Sequence, residues 1–93
     1  MNFRTLDLNL LRVFDVVMTE RSVTRAAERL AMTQPAVSNA LRRLREATDQ
    51  DLFTPTPTGV TPTRQAQALW PSVRAALGGL REVFEPQDFD PRR

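Results

Sequence analysis

The feature that most constrains this chain is a pair of short helical periods separated by three residues. Val23, Ala26, Ala27 and Leu30 recur at i, i+3, i+4 and i+7, the spacing of one helical face. Ser22 stands just before them as a natural N-cap, its hydroxyl placed to accept from an orphan backbone N–H one turn on. The pattern predicts a helix over 23–30, and the small Ala26-Ala27 pair lets a second helix cross it closely. Ala31-Met32-Thr33 then breaks the period. Thr33 reads as the next N-cap, and Pro35 falls in the first turn, where its missing N–H costs nothing. A helix from 34 to 48 follows. At 100° per residue, Val37, Ala40, Leu41 and Leu44 cluster on one face. Pro35, Ser38, Asn39 and Arg42 cluster on the opposite face, flanked by Arg43 and Arg45. Two short helices, a tight break and a polar, Arg-rich second helix together spell helix-turn-helix.

The flanking segments complete the outline. Leu10, Phe14 and Val17 step by four and three, with Leu11 and Met18 beside them, which predicts a helix over 8–20. Val13 and Val16 widen its apolar surface beyond one stripe. That width fits a well-buried helix, and it equally fits one that serves its own core and a partner chain. Residues 49–62, DQDLFTPTPTGVTP, carry three Pro and one Gly, a density that forbids a helix. Two short strands near 52–54 and 60–61 are expected, anchored to the core by Leu52 and Phe53. They would add a wing over 52–62. From 63 to 84 a long helix is expected, with Ala66, Trp70, Val73, Leu77, Leu80 and Phe84 forming a strict 3.5-residue seam. Such a seam suits a partner helix better than a globular core. Pro71 is expected to kink this helix. Gly78-Gly79 weakens it and permits close helix approach.

Composition removes most chemistry. At 93 residues a chain buries about 64% of its unfolded surface, enough for one modest core. There are no cysteines and no histidines, so disulfides, thiolate metal sites, zinc catalysis and Ser-His-Asp chemistry are excluded. No cofactor is expected. The acids Asp7, Asp15, Asp49 and Asp51 form no evident catalytic pair, and no Gly-rich phosphate loop exists, which argues against an enzyme. No run approaches the ~18 apolar residues of a spanning helix, and the chain reads as cytoplasmic.

Net charge is only +2 despite a pI of about 10.9. All thirteen cations are Arg, and with no Lys, Tyr or His little titrates between carboxylates and guanidiniums. Position says more. Residues 1–20 carry two Arg and three acids, residues 21–45 six Arg against Glu28 alone, and residues 46–93 five Arg and seven acids. The middle block holds a net +5. Codon usage accounts for an Arg-only composition, but not for that segregation.

These features point to double-stranded DNA. A recognition helix presents short polar groups to base edges in the major groove, and Gln34, Ser38 and Asn39 are of that kind. Gln and Asn pair bidentately with adenine and Arg42 with guanine, while Pro35 offers an apolar surface to a thymine methyl. Thr24, Arg25, Thr33, Arg43 and Arg45 are placed to grip phosphates, which position a protein without reading sequence. A solvated helix face is the plain alternative for the arginines, Arg42 pairing with Glu46 at i, i+4. The preceding turn and caps favour DNA. A protein-interaction module would instead carry apolar residues where Ser38, Asn39 and Arg42 stand.

Residues 22–44, SVTRAAERLAMTQPAVSNALRRL, resemble the winged helix-turn-helix of LysR-type transcriptional regulators. The elements T-x-A-A-x-x-L, T-Q-P-A-V-S and L-x-x-L carry the resemblance, which covers about residues 6–85. LDLNLL near the start, and Arg45 after Leu44, resemble the branch of nodulation and aromatic-catabolism regulators. The resemblance implies a mainly α fold: a three-helix core with a β-hairpin wing over 6–63, then a dimerising linker helix over 64–85. It implies a bacterial regulator that binds promoter DNA as a homodimer, and as a tetramer when full length. It further implies that residues 86–93 begin a hinge to a small-molecule effector domain absent from this chain, which would make the chain a truncated form. The family's DNA contacts fall on Gln34, Pro35, Ser38, Asn39 and Arg42, with Thr33 and Thr24 nearby. One position departs: members usually carry Arg two residues after the Leu-Phe pair, where this chain has Pro55. A wing with no cation implies a weak grip there, or one taken over by Thr54, Thr56 and Thr58.

Overall fold

Each α-helix among the described residues begins on a side-chain cap. In the computed structural model, which describes residues 3–57 and 59–85, a single 3-10 turn over Phe3–Thr5 leads into α1 (Leu8–Glu20), α2 (Val23–Leu30) and α3 (Gln34–Thr48). A hairpin of β1 (Phe53–Thr56) and β2 (Gly59–Pro62) follows, then α4 (Arg64–Phe84). Asp7 accepts from the Asn9 amide, Ser22 from Arg25, Thr33 from Ala36 and Thr63 from Ala66, at 2.9 to 3.2 Å. Each cap satisfies an amide that the first helical turn leaves without an internal partner.

The first three helices end on residues in the left-handed region: Arg21, Ala31 and Asp49, with φ of 55°, 54° and 54°. After α2 the turn is a Schellman motif. The Met32 amide reaches back to the Ala27 carbonyl at 2.9 Å, and the Ala31 amide to Glu28 at 3.2 Å. That double closure reverses the chain within the three residues the sequence allows, and it leaves Thr33 free to cap α3.

Helix α1 is the centre of the molecule, packing against α2, α3 and α4. Its Leu10, Val13, Phe14, Val17 and Met18 are buried, together with Ala26 and Ala27 of α2 and Val37, Ala40 and Leu44 of α3. Leu52 and Phe53 anchor the hairpin as the sequence predicts. Leu52 is buried, and the Phe53 ring lies 5.8 Å from that of Phe14 at a tilt of 54°. Thr63 ties the hairpin base to α4: its amide donates to Leu52 and its hydroxyl to the Asp51 carbonyl at 2.7 Å.

Two expectations need adjustment. The strands are longer than the sequence suggests and pair antiparallel from Phe53↔Pro62 to Thr56↔Gly59. Pro55 is accepted inside β1 because both strands of a two-stranded ribbon are edges. The seam of α4 is also divided. Ala66 and Val73 are buried in the chain's own core and Trp70 and Leu77 are half-buried, whereas Leu80 and Phe84 are exposed. Near Gly78 and Gly79, no atom of the described residues comes within 4 Å of where a Cβ would stand. The close helix approach they permit is not used among the described residues. Helix α4 runs through Pro71 without ending. The expected hinge over 86–93 lies outside the described residues.

Gly59 shows how closely the wing is docked. A Cβ there would fall 2.6 Å from the Arg21 carbonyl oxygen, and its φ of +156° is a glycine conformation. The Val60 amide meets that same carbonyl at 3.4 Å. Gly59→Ala is therefore expected to destabilise the fold by about 1–3 kcal/mol. Urea unfolding at constant pH measures this, and an unchanged midpoint would show that the wing is not seated on the α1–α2 corner.

Candidate nucleic-acid interface

Burial of one face of α3 leaves the other bare. Val37 and Leu44 are 0% exposed; Gln34, Pro35, Ser38, Asn39 and Arg42 are all exposed. Thr24, Arg25, Thr33, Arg43 and Arg45 are exposed too, so each residue singled out for DNA contact stands at the surface. The caps of α2 and α3 fix where those helices begin. The N-terminal turn of α3 therefore presents Thr33, Gln34 and Pro35 together, with Ser38 and Asn39 one turn further.

The arginines of α3 are not bare charges. Arg42 donates to the Asn39 side-chain oxygen and lies 3.6 Å from Glu46. Arg43 is 3.9 Å from Asp7, and Arg45 is 3.6 Å from Asp51. The Arg42–Glu46 pairing that the spacing allows is thus present. Pairs this exposed contribute only about 0–1 kcal/mol each. They orient the guanidiniums without locking them. On α2, Arg29 pairs with Glu20 at 2.9 Å. Arg21 and Arg25 have no carboxylate in ion-pair reach among the described residues.

The wing is electrically neutral over Phe53–Pro62. Thr54, Pro55 and Thr56 are exposed on β1, so the hydroxyls of Thr54 and Thr56 are available; Thr58 lies outside the described residues. At the foot of the wing a cleft of about 250 Å³ opens between Leu41, Arg42 and Arg45 of α3 and Asp51, Leu52 and Phe53.

A second region surrounds α4. The Trp70 indole N–H donates to Asp15 at 2.7 Å. Arg74 lies 3.4 Å from the same carboxylate and stacks over the Trp70 ring at 5.2 Å from its centroid. The Asp15 side chain is only 16% exposed. This triad clamps α4 to α1 and sets the angle at which the long helix leaves the core. Sequence reasoning misses it, since along the sequence Asp15 is only an acid with no evident catalytic partner. The signal was an acid between Phe14 and Val16 on an apolar helix, together with the chain's one Trp, whose buried end needs an acceptor. Beyond the clamp, α1 and the last turns of α4 border a groove of about 760 Å³ that includes Leu8, Val16, Leu30, Leu77, Leu80 and Phe84. Leu8, Leu80, Val83 and Phe84 are the large apolar side chains most exposed among the described residues.

A winged helix-turn-helix with a bare polar recognition face and a long trailing helix defines the class, that of helix-turn-helix DNA-binding domains. Residues 8–67 match the family described as bacterial regulatory helix-turn-helix protein, lysR family, and the chain belongs to it. It is 48% identical over 92 residues to the HTH-type transcriptional activator NagR of a Ralstonia species, a match that covers 98% of this chain and 31% of that protein. It is 49% identical over 77 residues to nodulation protein D 1 of Rhizobium leguminosarum bv. phaseoli, covering 83% of this chain and 24% of that one. The branch indicated by LDLNLL and Arg45 is therefore borne out. Among solved structures, the BenM DBD in complex with catB site 1 DNA has the same fold, with a TM-score of 0.80 at 25% identity, covering 85% of this chain and 89% of that one. The chain spans less than a third of the length of these curated relatives.

The clamp yields a stability prediction. Trp70→Phe keeps an aromatic ring, though a smaller one, and removes the donor, leaving the largely buried Asp15 carboxylate short of a hydrogen bond. The expected loss is about 1.5–3 kcal/mol, the range for hydrogen bonds to charged groups. Chemical denaturation of the variant measures it, and a loss of a few tenths would reduce the triad to a surface contact.

Proposed function

We propose that this chain binds double-stranded promoter DNA in a sequence-selective way as a homodimer, and that it is the DNA-binding part of a transcriptional regulator. The observation that carries the reading is the two-sidedness of α3. Val37, Ala40 and Leu44 are spent in the core, which leaves Gln34, Pro35, Ser38, Asn39 and Arg42 exposed and available for base edges, Asn39 and Arg42 being held only by exchangeable surface contacts. Thr24, Arg25, Thr33, Arg43 and Arg45 grip phosphates. The BenM DBD, which has this fold, is a DNA complex, and that supports the assignment. The domain division follows the same lines: a reading domain over 6–63 and a linker helix over 64–85. Effector binding and tetramer formation belong to the rest of a longer protein on this reading. Among the described residues, no helix is long and apolar enough to cross a membrane. The place of action is the bacterial nucleoid.

Binding is measured by fluorescence anisotropy with promoter duplexes. If a dimer neutralises 6–10 phosphates, affinity is expected to drop by ~10³–10⁵ between 50 and 200 mM salt. A flat response would remove DNA as the ligand. Arg42→Ala is expected to cost about 1–3 kcal/mol on the preferred site and far less on random duplex. Equal losses on both would make Arg42 a phosphate contact and move base reading to Gln34, Ser38 and Asn39.

The dimer reading rests on the outer half of α4. Ala66 and Val73 are occupied by the chain's own core, so the partner's helix is placed against Leu77, Leu80 and Phe84, next to the groove bordered by Leu8. A pair of subunits sets two recognition helices about one or more helical turns of DNA apart, which is what a two-part site requires. Leu80→Asp combined with Phe84→Asp alters exposed positions and spares the core. Light scattering at micromolar concentration is expected to show dimers for the parent chain and monomers for this variant. Dimers that survive both charges would place the interface elsewhere.

A further inference from the structure

The neutral wing raises the question of which cation grips the backbone on that side of the recognition helix. Among the described residues, two arginines of the basic block, Arg21 and Arg25, lack an acidic partner; Arg29, Arg42, Arg43 and Arg45 each have one. Arg25 lies in the first turn of α2 and is already among the phosphate-gripping residues. Arg21 lies where three elements meet. It is the residue on which α1 ends, it precedes the Ser22 cap of α2, and its carbonyl carries the wing through the Val60 amide at 3.4 Å. Gly59 comes so near that a Cβ would overlap the same carbonyl. The side chain of Arg21 is exposed. The backbone of Arg21 is thus rooted where the wing meets the start of α2, its side chain is exposed and has no acidic partner among the described residues, and Phe53–Pro62 contribute no charge.

We propose that Arg21 is a DNA-phosphate contact, supplying from the α1–α2 corner the cation that the wing lacks. This rests on the DNA-binding reading above and adds to it a residue that neither the motif nor the polar face of α3 contains. A guanidinium is suited to the task, since it stays charged and presents a planar fork of donors that matches two phosphate oxygens. The contact carries no sequence information, because it is made to the backbone. Its mark is therefore a loss of equal size on every duplex.

The test is a salt titration of binding to a random-sequence 30-base-pair duplex and to a promoter duplex, using the parent chain, Arg21→Gly and Arg21→Lys. Glycine suits the left-handed conformation at this position, where φ is 55°, so Arg21→Gly is expected to keep the parent's unfolding midpoint. Its affinity is expected to fall several-fold on both duplexes at 100 mM salt. The slope of log affinity against log salt should fall by about one for each bound subunit. Arg21→Lys should retain most of the parent slope. Parent affinity and slope in a folded Arg21→Gly chain would overturn the contact while leaving DNA binding intact. A loss confined to the promoter duplex, or an Arg21→Lys slope as low as that of the glycine variant, would overturn its assignment as a charge contact to the backbone. Failure of the parent chain to bind either duplex would overturn both this inference and the reading beneath it.

Discussion

The burial of Val37 and Leu44 against α1 is the constraint from which the rest follows. A helix of fifteen residues has a limited circumference, and a core contact on one side dictates what the other side presents. With both of those side chains fully enclosed, rotating α3 about its axis would expose apolar surface and bury an Arg. Each fully buried aliphatic side chain contributes about 1.5–3 kcal/mol, whereas an uncompensated buried charge costs several. The two penalties act in the same direction. The rotational setting of the recognition helix is thus a product of core packing, and the polar face needs no contact of its own to stay outward.

The same economy explains the turn. Ala26 and Ala27 are buried on α2, which packs against both α1 and α3, and a larger residue at either position would push α2 away from its neighbours. The Schellman closure from Met32 to Ala27 takes up the carbonyls that a helix end leaves open. Capping, small-residue packing and core burial are therefore three expressions of one requirement, that α3 start at a defined place and cross α2 at a defined distance.

Local chemistry was legible in the sequence, and long-range chemistry was not. Ser22 and Thr33 announce the starts of α2 and α3 because a cap acts within one turn, and the faces of both helices follow from periodicity alone. The wing was found from Pro and Gly density, though its strand ends were drawn short because Pro55 reads as a breaker unless the ribbon is known to be all edge. The seam of α4 was correctly seen as regular, but regularity does not say whose core it faces. Its first half turns toward α1 and its second half projects beyond it. The Asp15–Trp70–Arg74 clamp joins residues 55 positions apart, and no local period encodes such a pair. Asp7 likewise has no evident role in the sequence; in the fold it caps α1 and faces Arg43.

Charge teaches the same lesson with more consequence. Counted along the chain, residues 21–45 hold six arginines against one acid. In space, Glu20, Asp7, Glu46 and Asp51, all from outside that block, return to four of those arginines at 2.9 to 3.9 Å. At such separations, in the high dielectric of a surface, a unit pair is attracted by about 1–4 kcal/mol, and the net contribution after solvation and side-chain entropy is smaller still. A phosphate that offers a guanidinium two charged oxygens exchanges for such a partner readily. The acids thereby reduce the long-range field of the recognition helix without removing its short-range capacity. Within the basic block, the arginines left without an acidic partner among the described residues are Arg21 and Arg25, beside the start of α2. Two of these acids, Asp7 and Asp51, reach α3 from outside it, while Glu46 pairs with Arg42 within the helix, so the charge that the surface presents follows from the fold as much as from the spacing of charges along the sequence.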